Sequence, residues 1–316
     1  MELVWPGAFT DTQSYMEDNN GMHDPRRALA EGEIILGDGA LGTMLQAQGL
    51  PPGTMPELWN AENPQGVQAV HRAYLAAGSQ FITTNTFGGN RLRLADAGLG
   101  DRVAELSRLG VELAREAVGD RAWLAASVGP TGKLMEPFGE LSVALAEEVF
   151  AEQVAALAEA GADLILIETM NDIEEACAAV RAARGNTTLP VFCGLAFNAR
   201  GRTMMGLRPE DAARRIEEAG GDAVGANCGE GPQAVAVALE AMRASGTTLP
   251  LIAQANAGVP RMGEHAQAEW DITPEQMAQH VLGFIELGAR VVGGCCGTGP
   301  EHIAAMAAAL RRVTLA

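Results

Sequence analysis

The sequence predicts a single α/β domain, a (β/α)8 TIM barrel, behind an N-terminal extension. Three observations predict it. Short apolar or β-branched runs alternate with Ala/Leu/Glu-rich helical patterns from residue 33 onward. The alternation completes eight units, spaced roughly 30 to 40 residues apart, as a barrel of this class requires. Polar residues recur at the ends of the runs, where such barrels place their chemistry. A doubly wound open sheet is the structural alternative, and the count of eight favours the barrel.

Residues 1–32 precede the rhythm. MELVWPGAFTDTQSYMEDNNGMHD mixes Pro, Gly, Asn and Asp with scattered aromatics and shows no period. It reads as an extension, loose or docked on a neighbour, with a short helix in DPRRALAEG. The predicted strands follow in order: EIILGD (33–38), QFITTNT (80–86), AWLAASV (122–128), DLILIET (163–169), PVFCGLAF (190–197), DAVGANC (222–228), PLIAQAN (250–256) and ARVVGGCC (289–296). The helical patterns fall at 64–77, 102–118, 141–160, 172–184, 209–219, 232–245, 274–287 and 300–312. Asn63-Pro64, Thr273-Pro274 and Gly299-Pro300 put proline near a first turn, and Gly78, Gly161, Gly220 and Gly288 stop helices. No Pro/Gly-rich linker divides the chain, so residues 33–316 are expected to form one domain.

Composition narrows the function classes. The 316 residues are 47% hydrophobic, enough for one large core, and 22 basic against 40 acidic residues give a net charge of −18. That charge repels nucleic acid and anionic membrane, so neither is an expected partner. No basic region leads into an apolar stretch at the N-terminus, and no apolar run reaches transmembrane length. Five cysteines, an odd number, argue against a secreted disulfide framework and for a reducing cytoplasmic location.

Three of those cysteines carry most of the chemistry. Cys228 lies in GANCGEG, and Cys295-Cys296 in VVGGCCGTGP. Each segment ends a predicted strand and precedes a predicted helix. Taken singly, a cysteine is more often a small core residue, and an adjacent pair can form a strained disulfide. Glycines on both sides weaken that reading, because glycine packs poorly but lets a backbone turn tightly around an ion. Three thiolates suit a soft ion, and zinc with three protein ligands and one open position is the catalytic form. Cys177, within a helix, and Cys193, mid-strand, read as core residues, with Cys193 the main competitor for a fourth ligand. His23, His71, His265, His280 and His302 end no strand. His265, in RMGEHAQAEW, is the one expected near the mouth, and surface positions are expected for the rest.

The other strand ends are Asp38, Thr84-Asn85-Thr86, Ser127, Glu168, Asn198, Asn227 and Asn256. A metal lowers the pKa of what it binds, so a thiol would bind as thiolate at neutral pH. Three anionic ligands leave a weak Lewis acid and a nucleophilic sulfur, which suits alkyl transfer better than hydrolysis. Asp38 and Glu168 can hold an ammonium group, and the turn GDGALGT offers backbone N–H groups to a carboxylate. A thiol, an ammonium and a carboxylate together describe a thiol amino acid.

These segments resemble the homocysteine S-methyltransferases, a family that includes betaine–homocysteine methyltransferases and the homocysteine-binding module of cobalamin-dependent methionine synthase. GDGALGT, TNTFGGNRLRL, SVGPTGKLMEP, ETMNDIEEA, GRTMMG, GANCGEGP and GGCCGTGPEHI carry the resemblance, from about residue 33 to 313. It is most similar to stand-alone bacterial enzymes often assigned to betaine. The resemblance implies zinc on Cys228, Cys295 and Cys296 and homocysteine as substrate. It implies catalytic roles for Asp38 and Glu168 at the amino acid end, with Gly39, Ala40 and Thr43 of the turn near it. Asn85 and Asn227, as polar strand ends, are further expected substrate-binding residues. The aromatic pair of the animal betaine enzymes is missing, since Thr169-Met170 follow Glu168 and Thr54-Met55 precede Pro56-Glu57. Trp59, Phe87 and Phe138 are candidates for a replacement box around a quaternary ammonium.

The expected function is zinc-dependent methyl transfer from a small onium donor, betaine first and S-methylmethionine or a related sulfonium next, to homocysteine thiolate, making methionine. One alternative is the homocysteine-binding subunit of a split cobalamin-dependent methionine synthase. A second is a non-catalytic barrel with a structural or regulatory zinc–thiol site. Self-association into a homo-oligomer is left open.

Overall fold

The structure, a computed structural model, describes residues 24–262 and 268–314. Eight parallel strands form its centre: β1 (Ile35–Leu36), β2 (Phe81–Thr83), β3 (Trp123–Val128), β4 (Leu164–Met170), β5 (Val191–Leu195), β6 (Ala223–Cys228), β7 (Leu251–Ala255) and β8 (Ala289–Gly294). Their spatial order is β1-β8-β7-β6-β5-β4-β3-β2. Gln80, just before β2, closes the ring: its backbone N–H donates to Leu36 O at 2.7 Å, and its side-chain oxygen accepts from Leu36 N at 2.8 Å. The expected barrel is therefore the observed one.

Eight helices surround it: α1 (Pro64–Ala77), α2 (Val103–Val118), α3 (Val143–Glu159), α4 (Ile173–Asn186), α5 (Pro209–Ala219), α6 (Pro232–Ala244), α7 (Pro274–Glu286) and α8 (Pro300–Thr314). Their starts follow from side-chain acceptors that satisfy free N–H groups. Asn63 accepts from Gly66 N, Ser142 from Leu145 N, and Thr273 and Gln276 form a reciprocal capping box. Leu41–Ala47, Trp59–Glu62 and Arg91–Ala95 are further short helices in the loops after β1 and β2, too brief to show a period in sequence.

Two apolar layers hold the barrel. The larger lies between strands and helices and includes Phe150, Leu157, Ile165 and Val224. The smaller fills the interior near the strand starts with Ile35, Phe81, Trp123, Leu164 and Phe192. Ala28 and Leu29, from the helix Pro25–Ala30, belong to this inner layer. That helix closes the barrel at the end opposite the polar strand ends. Burying each large side chain here stabilises by about 1.5–3 kcal/mol.

Two histidines expected at the surface are instead buried. His71 on α1 is fully buried with neither ring nitrogen hydrogen-bonded, and burial holds it neutral, its pKa pushed down to about 3. Helix periodicity turns that position toward the core. His302 is buried because it organises a loop: its Nδ1 accepts from Gly299 N at 3.1 Å and its Nε2 meets Ile272 O at 3.0 Å. His23 and His265 lie outside the described residues.

Cys193 is fully buried in β5, paired with Ile167 and Val224, and burial pushes its thiol well up. Cys177 on α4 is also buried, its thiol donating to Arg215 O at 3.6 Å. Replacing either by alanine is expected to cost about 1–2 kcal/mol of stability from lost packing. Bound metal should not change. Loss of metal in Cys193→Ala would argue for a closed, structural site.

Candidate metal centre and substrate cavity

Cys228 ends β6, and Cys295 and Cys296 follow β8 directly. With β7 between those strands, the three thiols meet at one rim of the barrel. Their Sγ atoms all lie within 4.8 Å of one another, and all three are free and half-buried. Hydrogen bonds from Cys295 and Cys296 draw the Cys228 thiol well below its ordinary value. The same contacts with Cys228 and burial push the other two up. Three thiols this close cannot all ionise without a cation between them. A soft divalent metal supplies that charge, so the donor set fits zinc.

The local backbone is built for this. Cys228 has φ 58, a left-handed conformation that a side chain adopts at a cost of about 1 kcal/mol or more. Asn256, past β7, donates to Gly229 O at 2.9 Å, bracing the residue after Cys228. After Cys296, Gly297 turns at φ +78, and a Cβ there would lie 2.2 Å from the Trp270 ring. Only glycine allows both that turn and that contact.

The thiols line a cavity of about 410 Å³ at the strand ends. That is room for two small molecules side by side. Asp38, Gly39, Ala40, Thr43, Asn85 and Glu168 also line it. Asp38 is buried, its Oδ2 accepting from Thr83 N at 2.8 Å and its Oδ1 from the Thr83 hydroxyl at 2.6 Å. Glu168 Oε1 accepts from the Ser127 hydroxyl at 2.5 Å. Burial raises both carboxyls to about 7, against the lowering effect of these bonds. Among the described residues neither Asp38 nor Glu168 forms an ion pair, although Glu57 and Arg93 line the same cavity.

Several expected residues do different work. Asn227 is absent from the cavity lining. Its Oδ1 accepts from Thr169 N and its Nδ2 donates to Thr169 Oγ1, both at 2.8 Å. It braces Thr169, the other non-glycine residue with a left-handed backbone among the described residues, at φ 61. Asn85 lines the cavity but spends its amide on Pro56 O and Asn60 Oδ1. In the Gly39–Thr43 turn, the Ala40 N–H is already committed to Thr298 O at 3.0 Å. Of the three aromatics considered for a box, Phe87 lines the cavity, while Trp59 packs on the core and Phe138 is 74% exposed away from it.

Thr83, Ser127, Gln254, Glu57 and Arg93 line the cavity without having been singled out as binding residues. Ser127 and Thr83 had a signal, being hydroxyls at strand ends. Glu57 and Arg93 sit in loops, where sequence spacing fixes no direction.

Comparison with known proteins fits this geometry. The sequence profile of the homocysteine S-methyltransferase family matches residues 35–310. The metallated form of the homocysteine methyltransferase MmuM from Escherichia coli superposes with a TM-score of 0.74. It is 28% identical, over 90% of this chain and 99% of that one. Its oxidized form gives 0.73 at the same identity and coverage. The methionine synthase of Mycobacterium tuberculosis (strain ATCC 25618 / H37Rv) is 33% identical over 298 residues, 89% of this chain and 25% of the relative. That of Mycobacterium leprae (strain TN) is 32% identical over 297 residues, 88% and 24%. The chain thus spans about a quarter of the length of these curated relatives. Matched from the first barrel strand to the last barrel helix, the chain belongs to the homocysteine S-methyltransferase family.

Proposed function

We propose that this protein transfers a methyl group from a small onium donor, betaine foremost, to the sulfur of homocysteine, making methionine. The observation that carries the reading is the meeting of three thiols with the buried carboxyls of Asp38 and Glu168 in one cavity. Zinc held by Cys228, Cys295 and Cys296 would supply the Lewis acidity that keeps a substrate thiol deprotonated at neutral pH.

The chain's own residues then position the substrates. Asp38 and Glu168 hold the amino acid's ammonium, each carboxylate fixed by a hydroxyl, from Thr83 and Ser127. Gly39, Ala40, Thr43 and Asn85 bound the space around the amino acid end. Asn227 acts from behind, by fixing Thr169 next to Glu168. The cavity excludes water from the sulfur and leaves room for the donor alongside. The methyl carbon forms its bond to sulfur as its bond to the onium atom breaks. The electron pair stays on that nitrogen or sulfur, which leaves as a neutral amine or thioether. No general base is required.

This activity is assigned to residues 33–316 as one domain, with 1–32 as its extension, in a reducing cytoplasm that keeps the thiols free. Among the described residues no helix is long and apolar enough to cross a membrane. The similarity to methionine synthases about four times longer favours one second reading, a homocysteine-loading subunit that works with a separate corrinoid protein. A permanent fourth cysteine ligand has no support, because Cys193 stands outside the thiol group.

A donor panel decides between the two. The purified, zinc-loaded chain with homocysteine should form methionine from betaine, S-methylmethionine or a dimethylsulfonio compound. Turnover with methylcobalamin and with none of these would promote the loading subunit.

A further inference from the structure

We propose that Tyr74 is a positioning residue that couples the metal centre to the amino acid end of the cavity, through the carbonyl of Thr298. The inference rests on the methyl-transfer reading and adds to it how binding of the ion and binding of the substrate depend on each other.

Tyr74 lies on α1, is fully buried and takes no part in the cavity lining. Its ring packs in the layer between strands and helices, but its hydroxyl reaches the turns at the strand ends. It donates to Thr298 O at 2.8 Å and to Ala40 O at 3.1 Å. Burial keeps the phenol protonated, so it remains a donor. One proton is thus shared between two carbonyls from two different turns.

Each turn carries one half of the site. Thr298 closes the turn after Cys295 and Cys296: its hydroxyl donates to Cys295 O at 2.6 Å, and its N–H donates to the same oxygen at 3.1 Å. Ala40 belongs to the turn that runs from Asp38 to Thr43, and its own N–H donates to Thr298 O at 3.0 Å. Two further bonds cross between the segments, from Gly294 N to Asp38 O at 2.8 Å and from Gly297 N to the Thr43 hydroxyl at 3.4 Å. The turns touch at Gly39, where a Cβ would lie 2.6 Å from Thr298 O and 3.0 Å from Tyr74 Cε1.

An ion on the three thiols fixes the Cys295–Cys296 backbone. Thr298 O moves with that backbone, and Ala40 and Tyr74 are both bonded to it. A filled metal site therefore presets the turn that receives the amino acid, and a bound amino acid presets the metal turn. Such coupling is reciprocal, each ligand raising the other's affinity by the same factor. Without the Tyr74 hydroxyl the two carbonyls lose their shared donor in a dry site, and the turns can shift apart.

α-Aminobutyrate tests this, because it has homocysteine's ammonium and carboxylate but no sulfur to ligate zinc. Its Kd on the zinc-loaded and metal-free chain, by calorimetry, gives one coupling factor. The zinc Kd with and without it, by chelator competition, gives the same factor independently. Wild type should show about fivefold or more in both. Tyr74→Phe keeps the ring and should bring both factors close to one, with circular dichroism unchanged. Homocysteine KM should rise about fivefold, the worth of one hydrogen bond, while the donor KM stays. Thr298→Val cuts the hydroxyl bond to Cys295 O from the other side. It should act alike, and it carries the test should Tyr74→Phe fail to fold. A merely structural tyrosine would lower the unfolding midpoint and leave both factors as in wild type. That result, or a factor of one in wild type, overturns the coupling and leaves methyl transfer standing. Coupling without turnover keeps the role of Tyr74 and removes the methyl-transfer reading. Failure of zinc-loaded wild type to bind either amino acid overturns both.

Discussion

Serine in place of Cys228, Cys295 or Cys296, one at a time, should remove most bound zinc and abolish methyl transfer while the barrel stays folded. Each change swaps a soft thiolate for a hydroxyl that is a poor zinc ligand at neutral pH. With two thiols left, neither the ion nor the substrate sulfur is held. The structural cost should be small, below about 1 kcal/mol, because all three side chains sit half-buried at the cavity wall, away from the packed layers. Zinc-to-protein ratio, methionine formation and circular dichroism read the three outcomes separately. Full activity in any variant that has lost its zinc would sink the catalytic-metal reading.

Asp38→Asn and Glu168→Gln should each weaken homocysteine binding by about tenfold to a hundredfold, the worth of a charged hydrogen bond in a buried site. Zinc should remain bound. The pH dependence has a definite sign. Both folded-state carboxyls are raised to about 7, above the ordinary carboxylate value. They are therefore protonated below about pH 7, and homocysteine affinity should fall as pH drops through it. Substrate-free stability runs the other way. Between the unfolded value, about 4, and about 7, the folded state holds a proton that the unfolded chain has lost. Asp38 thus lowers stability as pH rises across that window, by up to about 1.4 kcal/mol per pH unit. Urea unfolding of metal-free wild type and Asp38→Asn across pH 4.5 to 8 isolates its share. Unchanged homocysteine affinity in both variants would place the amino acid end elsewhere.

What could be read from sequence was what periodicity and strand position dictate. Alternating β and helical patterns located all eight units, and cysteines at the ends of the sixth and eighth strands had to meet once the ring closed. Properties that depend on rotation about an axis or on loop path were not legible. His71 and His302 looked like helix-surface residues, yet one faces the core and the other ties α8 to the segment before α7. Asn227 ends a strand next to a metal-site cysteine, but its side chain points back to lock Thr169. Glu57 and Arg93 are far apart in sequence and were brought to one corner by two loops that carry no period. Trp59 and Phe138 left the cavity for the same reason. The helix Pro25–Ala30 fell within a segment expected to be peripheral, although Ala28 and Leu29 pack inside the barrel.

The central claim is that a substrate thiol loses its proton in the cavity formed by Cys228, Cys295 and Cys296. Calorimetry at pH 7 in buffers of different ionisation enthalpy counts protons released on binding. Homocysteine should be compared with homoserine, which has the same ammonium and carboxylate but a hydroxyl for the thiol. Protons from Asp38 and Glu168 then cancel in the difference. The account predicts about one extra proton for homocysteine on the zinc-loaded chain, since a free thiol is mostly protonated at that pH. The extra proton should vanish after chelation. Equal proton release for the two ligands on the zinc-loaded chain would contradict it.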